Sequence, residues 1–117
     1  NVHILEWGQT MAELYLKTDL VIAPGSTTTF EALSLNVPCI SFEFVDNQHE
    51  QCMCMENMGI APYIGNFAEN AIKTEVIKAV FTNMLGFTYR KNLEANYSKL
   101  FDGKGSHRIA EIVIGRK

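Results

Sequence analysis

A cluster of small and hydroxyl-bearing residues follows an apolar segment early in the chain. Within DLVIAPGSTTTFEAL, residues 19–33, Gly25 is followed by Ser26, Thr27 and Thr28. Glycine lets the backbone approach a ligand closely or adopt a positive φ. The first amides of a helix attract anions, because they lack partners within the helix and the helix dipole adds positive potential. We therefore predict an anion-binding loop, suited to a phosphate, at these four residues.

The loop matches neither of two common phosphate-binding patterns. It lacks the Gly-Lys-Ser/Thr of a Walker loop, and it lacks the second and third glycines of the dinucleotide fingerprint. From the residues alone, the prediction rests on the physics of a helix amino terminus.

Glu31 has two interpretations. Thr28-Thr29-Phe30-Glu31 has the spacing of a capping box, in which Glu31 would accept a hydrogen bond from the amide of Thr28. Alternatively, a carboxylate one turn into the helix accepts hydrogen bonds from a ribose diol while the preceding amides hold the phosphates of the same nucleotide. Spacing alone favours the cap, and the two roles can coexist in different states.

The histidines and cysteines predict neither a catalytic base nor a metal site. Cys52 and Cys54 lack the two-residue gap of a zinc or redox pair, and Cys39 is distant in sequence. All three are predicted to be reduced, partly buried thiols. His49 follows Gln48 at a helix start and is interpreted as a solvated side chain rather than a phosphate ligand. No catalytic residue and no cofactor is assigned.

Unbroken apolar runs predict the strands that position this chemistry. The run from Leu20 to Ala23 ends at Pro24-Gly25, and a run without polar alternation is typical of a strand covered on both faces. Strands are predicted at 2–7, 20–23, 39–45 and 60–64. Helices are predicted from the capping box at Thr10 to 17, over 26–35, from the cap Asn47 to 59, from the cap Asn70, after Thr88, and from Ser106.

This alternation of strand and helix predicts an α/β fold, a doubly wound parallel sheet with extra C-terminal helices. Ligands of such sheets bind beyond the carboxyl ends of the strands, where the strand-to-helix loops meet. Three loops qualify, at 7–9, 24–28 and 46–49. The first of them contains Trp7, which is either an aromatic platform for a ligand or a core residue.

The composition and charge of the chain argue against a nucleic-acid-binding protein and against a membrane-spanning segment. The 117 residues carry a net charge of -3, and the ten Lys and Arg are dispersed, so a nucleic-acid interface is not expected. No apolar run approaches the roughly 20 residues that span a bilayer, and the chain does not open on a signal peptide. We expect one cytoplasmic domain over residues 1–117. Because the chain lacks an initiator Met and opens on a strand-like run, we expect it to be part of a longer protein.

The segment TDLVIAPGSTTTFEALSLNVP, residues 18–38, resembles a family pattern. In the carboxy-terminal half of GT-B enzymes that handle UDP-sugars, the pattern is ADL-x-I-x-x-G-G-S-T-x-x-E-x-x-x-L-G-x-P. The resemblance continues at 11–14 and at 46–48, where Asn-Gln is similar to the UDP-sugar hydrolases of the pseudaminic-acid pathway and to related spore-coat polysaccharide proteins. The segments 58–65 and 102–109 also resemble that group, so the resemblance covers nearly the whole chain.

The resemblance implies a UDP-binding surface. Its residues are Trp7, Gly8, Gly25, Ser26, Thr27, Thr28, Glu31, Asn47 and Gln48. By this resemblance the Gly25 loop would hold the diphosphate, and Glu31 would bind the ribose rather than only cap a helix. Asn47 and Gln48 would bond the sugar or its phosphate, and the backbone around Trp7 would contact the uracil edge.

Two positions depart from the family pattern. Pro24 stands where the family usually has a first glycine or a small residue, which puts the geometry of the diphosphate loop in question. Asn36 replaces the usual glycine before Val-Pro, and Asn tolerates the left-handed conformation that a helix end needs.

The resemblance also implies a reaction and its partners. Water attacks the anomeric carbon of a UDP-amino-sugar, UDP leaves, and the free sugar enters surface-polysaccharide or nonulosonic-acid biosynthesis. The base would be a histidine of a missing N-terminal domain, and no metal is required. The alternatives are the donor-binding domain of a glycosyltransferase and a non-catalytic nucleotide-binding or interaction domain. A flavodoxin-like receiver or cofactor module is disfavoured, because the acidic cluster that a receiver needs after the first strand is not seen.

Overall fold

A computed structural model describes residues 2–5, 8, 10–69 and 72–115 of the chain. Helices and strands alternate in the first part, and helices alone follow. The elements are α1 (Met11–Tyr15), β1 (Val21–Pro24), α2 (Thr27–Ser34), β2 (Cys39–Glu43), a 3-10 turn (Asp46–Gln48), α3 (His49–Asn57), β3 (Tyr63–Asn66), α4 (Thr74–Leu85), α5 (Phe87–Leu100) and α6 (Gly105–Val113).

The strands form one parallel sheet in the order β1-β2-β3. Val21 to Pro24 pair with Cys39 to Phe42 without interruption, whereas the pairing of β2 with β3 is irregular between Ser41 and Glu43. Helices flank the sheet, and α5 and α6 follow it. The predicted fold class is therefore confirmed as a Rossmann-like half-fold with extra C-terminal helices.

The prediction of a first strand at 2–7 is wrong for residues 2–5, the part of this segment that the structure describes. Residues 2–5 form no strand, and the side chains of Val2 and Ile4 are 95% and 90% exposed. A strand needs a hydrogen-bonded neighbour, and no described strand pairs with this segment. An apolar run marks a segment that prefers burial, but it does not supply the partner.

The third strand begins later than the sequence indicates. Ile60 and Ala61 are 2% and 0% exposed, yet they lie in the loop between α3 and β3. Both of their amides donate to the carbonyl of Met55 at the end of α3. The apolar signal at these positions therefore reflects burial of a helix-to-strand loop, and β3 starts only at Tyr63.

The end of α2 confirms the interpretation of Asn36. Its φ is 59°, the only non-glycine residue with a positive φ in the described part of the chain. The amide of Asn36 donates to Leu33 O, and the amide of Val37 donates to Ala32 O. These two bonds form a Schellman motif, which satisfies carbonyls at the helix end and turns the chain toward β2.

The core lies between the sheet and the helices α2, α3, α4 and α5. Its largest buried side chains include Leu33, Ile40, Met55, Met84 and Tyr97, each at most 2% exposed. Among the described residues, none of the helices is long and apolar enough to cross a membrane.

Tyr97 carries a buried hydroxyl without a hydrogen-bond partner among the described residues. A buried polar group without a partner costs free energy, so the Tyr97→Phe variant should be more stable than the wild type by up to about 1 kcal/mol. Urea denaturation measures this difference. The matched control is Tyr15→Phe, which removes a buried hydroxyl that contacts the carbonyl oxygen of Thr28 and the carboxylate of Glu31 and should lower stability. A loss of stability in Tyr97→Phe equal to that of the control would contradict the expectation.

Candidate functional site

The loops that follow β1 and β2 meet at Gly25. Its amide donates to the carbonyl of Phe42 over 2.9 Å. A Cβ added at Gly25 would overlap the Sγ of Cys52 and lie 3.3 Å from the carbonyl oxygen of Gln48. The structure thus places the predicted diphosphate loop directly against the start of α3, next to Gln48.

This contact changes the interpretation of Gly25. The residue is buried, and it is not among the glycines with a positive φ. A glycine is required here because α3 approaches the backbone closely, not because the turn is left-handed. Gly8, in contrast, has a φ of 128° and is exposed. Trp7 lies outside the described residues, so its predicted role remains a prediction.

Ser26 is the N-cap of α2. Its backbone is extended, its side chain makes no capping hydrogen bond, and the helix begins at Thr27. The first amides of a helix have no acceptors inside it. The amides of the first turn and the hydroxyls of Thr27 and Thr28 are therefore suited to bind an anion, whereas the buried Thr29 hydroxyl is used internally, donating to Pro24 O over 2.8 Å.

The capping-box interpretation of Glu31 is wrong. A box at Thr28 requires Thr28 to be the N-cap, but the extended backbone of Ser26 places the cap two residues earlier. The carboxylate of Glu31 instead accepts a hydrogen bond from the hydroxyl of Tyr15 over 3.5 Å. The same hydroxyl lies 3.3 Å from the carbonyl oxygen of Thr28. Glu31 itself is exposed.

Glu31 opens into a groove between α1 and α2. The groove has a volume of about 290 Å³, and its walls are formed by Met11, Ala12, Tyr15, Glu31, Ser34 and Leu35. Burial, followed by the charge of Glu31, raises the pKa of Tyr15, so its hydroxyl stays a neutral donor. The groove therefore combines apolar walls with a carboxylate that can accept hydrogen bonds from a diol.

The third loop differs from the sequence prediction. Asn47 does not cap α3, because a 3-10 turn precedes a helix that begins at His49. The Oε1 of Gln48 accepts hydrogen bonds from the amides of Phe44 and Val45, at 2.8 and 3.4 Å. Gln48 therefore closes the loop with its oxygen and keeps only its side-chain NH₂ for a ligand. Asn47 is exposed.

A buried carboxylate lies at the end of β2, where the sequence prediction assigned no function. Glu43 is 5% exposed, and its Oε1 accepts a hydrogen bond from the Nδ2 of Asn66 over 2.6 Å. Its Oε2 lies 2.7 Å from the Nδ1 of His49. Burial alone would raise the pKa of Glu43, but hydrogen bonds from His49, Tyr63 and Asn66 outweigh burial and lower the pKa below its ordinary value.

His49 is held more tightly than a solvated side chain. Its side chain is 57% exposed, yet Nδ1 is fixed by Glu43 and the ring packs edge-on against Tyr63 at 6.3 Å between centroids. The signal that could have revealed this pair is the acidic residue inside the apolar run CISFEFV. A carboxylate in a covered strand requires a partner, because isolated buried charges are unfavourable.

Two of the three cysteines, Cys39 and Cys52, are buried thiols. Burial raises the pKa of Cys39 to about 12 and also raises the pKa of Cys52. Cys54 is exposed, which differs from the expectation. Within the ranges 2–5, 8, 10–69 and 72–115, no group of three His, Cys, Asp or Glu side chains is placed to hold a metal ion.

The contact at Gly25 predicts a coupled pair of substitutions. Gly25→Ala should lower the unfolding free energy by about 1–3 kcal/mol, because the new methyl group overlaps Cys52 Sγ. Adding Cys52→Ala should recover part of this loss, so the double mutant is more stable than the sum of the single effects. Gly105→Ala is the control, since the added carbon would meet no atom within 4 Å beyond its chain neighbours and its own helix backbone. Additive effects in urea denaturation would contradict the contact.

The pKa of Glu43 predicts how stability depends on pH. Because its pKa is lower in the folded than in the unfolded chain, ionised Glu43 stabilises the fold above its unfolded pKa, ordinarily about 4.3. This contribution is lost as the pH falls through the lowered folded pKa. Glu43→Gln should therefore be less stable at neutral pH, by about 1–3 kcal/mol, and its stability should fall less in acid.

Urea denaturation at several acidic pH values measures this dependence. The control is Glu75→Gln on α4, an exposed carboxylate that should leave the pH profile of the wild type nearly unchanged. If the profile of Glu43→Gln were parallel to that of the wild type, the ionised form of Glu43 would not contribute to folding.

The chain is similar in sequence to a protein named for spore coat polysaccharide biosynthesis. It is 26% identical over 110 residues to the spore coat polysaccharide biosynthesis protein SpsG of Bacillus subtilis (strain 168), and the match covers 94% of this chain and 32% of SpsG. The chain thus spans about a third of the length of SpsG. No protein-family model and no solved structure matches it.

Proposed function

We propose that this chain is the UDP-binding domain of an enzyme of polysaccharide biosynthesis, acting on a UDP-amino-sugar. The observation that carries the proposal is the arrangement along α2. Its amino-terminal turn offers amides to an anion, and the carboxylate of Glu31 opens into a groove one turn further on. In a nucleotide the ribose is attached directly to the diphosphate, so neighbouring parts of α2 can bind both. The similarity to SpsG, which spans 94% of the chain, supports a role in polysaccharide biosynthesis.

Each predicted ligand residue has a defined task in this proposal. The amides of Ser26, Thr27 and Thr28 bind the diphosphate, and Glu31 accepts hydrogen bonds from the ribose hydroxyls. Donors fixed before the reaction stabilise the negative charge that develops on the leaving UDP. Asn47 and the side-chain NH₂ of Gln48 lie at the same edge and bind the sugar or its phosphate, while the backbone at Gly8 contacts the base.

We further propose that a second domain completes the enzyme, as the C-terminal half of a GT-B fold requires. In the reaction, water attacks the anomeric carbon, UDP leaves, and a base from the other domain accepts the proton of the water. Exposed apolar side chains support such a partner: Val2 and Ile4 near the start, and Ile112 and Val113 on α6, are 77% to 95% exposed. Apolar surface of this kind is typical of interaction sites.

The test is an amide-resolved NMR titration of the chain with UDP, beside ADP and inorganic phosphate. Binding of UDP should shift the amides of 25–31 and 47–48, and Glu31→Gln should weaken binding by about tenfold through loss of the charged acceptor of the ribose hydroxyls. Glu75→Gln replaces an exposed carboxylate on α4 in the same way and should bind as the wild type does.

Three outcomes are informative. Shifts confined to these loops for UDP, and smaller ones for ADP, support a uridine-nucleotide site. Equal amide shifts with UDP, ADP and inorganic phosphate would show that the site binds phosphate without recognising the nucleoside. The absence of any shift at saturating UDP would contradict nucleotide binding by this chain and favour an interaction domain.

A further inference from the structure

We propose that His49 is a diphosphate-binding residue and that Glu43 is the residue that positions it, an inference that rests on the proposed function. The arrangement consists of a buried carboxylate that fixes one nitrogen of an exposed imidazole. The other nitrogen, Nε2, has no hydrogen-bond partner within the described part of the chain. When the ring carries its second proton, Nε2–H is a charged donor for an oxygen of the diphosphate in a nucleotide-sugar.

The location of His49 supports this role. His49 directly follows Gln48, whose carbonyl oxygen would lie 3.3 Å from a Cβ at Gly25. The first residue of α3 and the predicted diphosphate loop are therefore at the same edge of the sheet. Ligands of parallel sheets bind at this edge, beyond the carboxyl ends of the strands.

The rigidity of His49 supports it as well. His49 is the outer member of a chain of hydrogen bonds that orients its ring. The Nδ2 of Asn66 holds Glu43 over 2.6 Å, and the Oδ1 of Asn66 accepts from the amides of Ala68 and Glu69 at 2.8 and 3.2 Å. Strand β3 and its following turn thus fix the carboxylate that fixes the imidazole. A donor that is oriented before binding loses less entropy when it binds.

The electrostatics favour a ligand that is an anion. A positive charge in the first turn of a helix is unfavourable, because the helix dipole is positive there. Glu43 offsets this cost for a protonated His49, and it is the only charged partner of His49 among the described salt bridges. The remaining titratable groups around the pair are Tyr63 on β3, Cys52 on α3 and Glu50 beside His49. None of them supplies a second anion to Nε2 in the described structure.

The test is the pH dependence of binding of UDP-N-acetylglucosamine, measured from the amide shifts of 25–31. This ligand is a diphosphate diester, so its own charge stays constant between about pH 5.5 and about pH 8, and a change in affinity over this range reports on the protein. The wild type should bind about tenfold more tightly at the lower pH, as expected for one charge-assisted hydrogen bond.

Three variants separate the roles of the two residues. His49→Gln should lose the pH dependence and bind at both pH values as weakly as the wild type does at high pH. His49→Lys, which stays charged over the whole range, should bind without pH dependence and more tightly than His49→Gln. Glu43→Gln should weaken binding at low pH and keep a reduced pH dependence, because the ring is still present but no longer fixed.

His107→Gln is the matched control. His107 is also exposed and lies 3.5 Å from a carboxylate, Glu111, but it is on α6. This variant should keep the full pH dependence of the wild type. Undisturbed amide spectra of the core verify that each variant is folded, so that loss of binding is not loss of structure.

The outcomes distinguish this inference from the proposed function. If UDP-N-acetylglucosamine binds at the 25–31 loop with the same affinity at both pH values, or if His49→Gln keeps the pH dependence, the role of His49 is refuted while nucleotide-sugar binding stands. If the wild type shows no shift with the ligand at either pH, the proposed function is refuted and the inference with it.

Discussion

The carbonyl oxygen of Phe42 joins the three elements on which the candidate site depends. It accepts the amide of Gly25 over 2.9 Å and the thiol of Cys52 over 3.3 Å. The end of β1, the end of β2 and the first turns of α3 therefore meet at one atom. This meeting is possible only because Gly25 lacks a side chain, and it places an anion-binding helix end beside the residues that begin the next helix.

Local patterns predicted most of the fold. Unbroken apolar runs marked the strands of a parallel sheet, since such strands are covered on both faces, and Thr10 and Asn36 marked a helix start and a helix end. Thr10 accepts the amide of Glu13 over 3.4 Å, as the capping pattern indicates. The segment 2–5 was not predictable in the same way, because its apolar side chains show only that it prefers burial.

The site was less predictable, because its key contacts join residues that are far apart in sequence. Gly25 was identified, but the close approach that requires it comes from Cys52 rather than from a ligand. The Glu43–Asn66 bond spans 23 residues and depends on the register of β2 with β3. Spacing rules cover contacts within one helix or turn, so they could reveal neither this bond nor its consequence for His49.

The two carboxylates of the site differ in how much of their bonding capacity the protein uses. A carboxylate has about four acceptor sites. The oxygens of Glu43 are engaged at 2.6 and 2.7 Å by two different elements, and because Glu43 is buried, its remaining acceptor sites are out of reach of a ligand. Glu31 is exposed, and among the described residues its carboxylate has one long hydrogen bond of 3.5 Å, from Tyr15. The protein therefore uses one carboxylate to fix structure, and it leaves the other with free acceptors for the hydroxyls of a ligand.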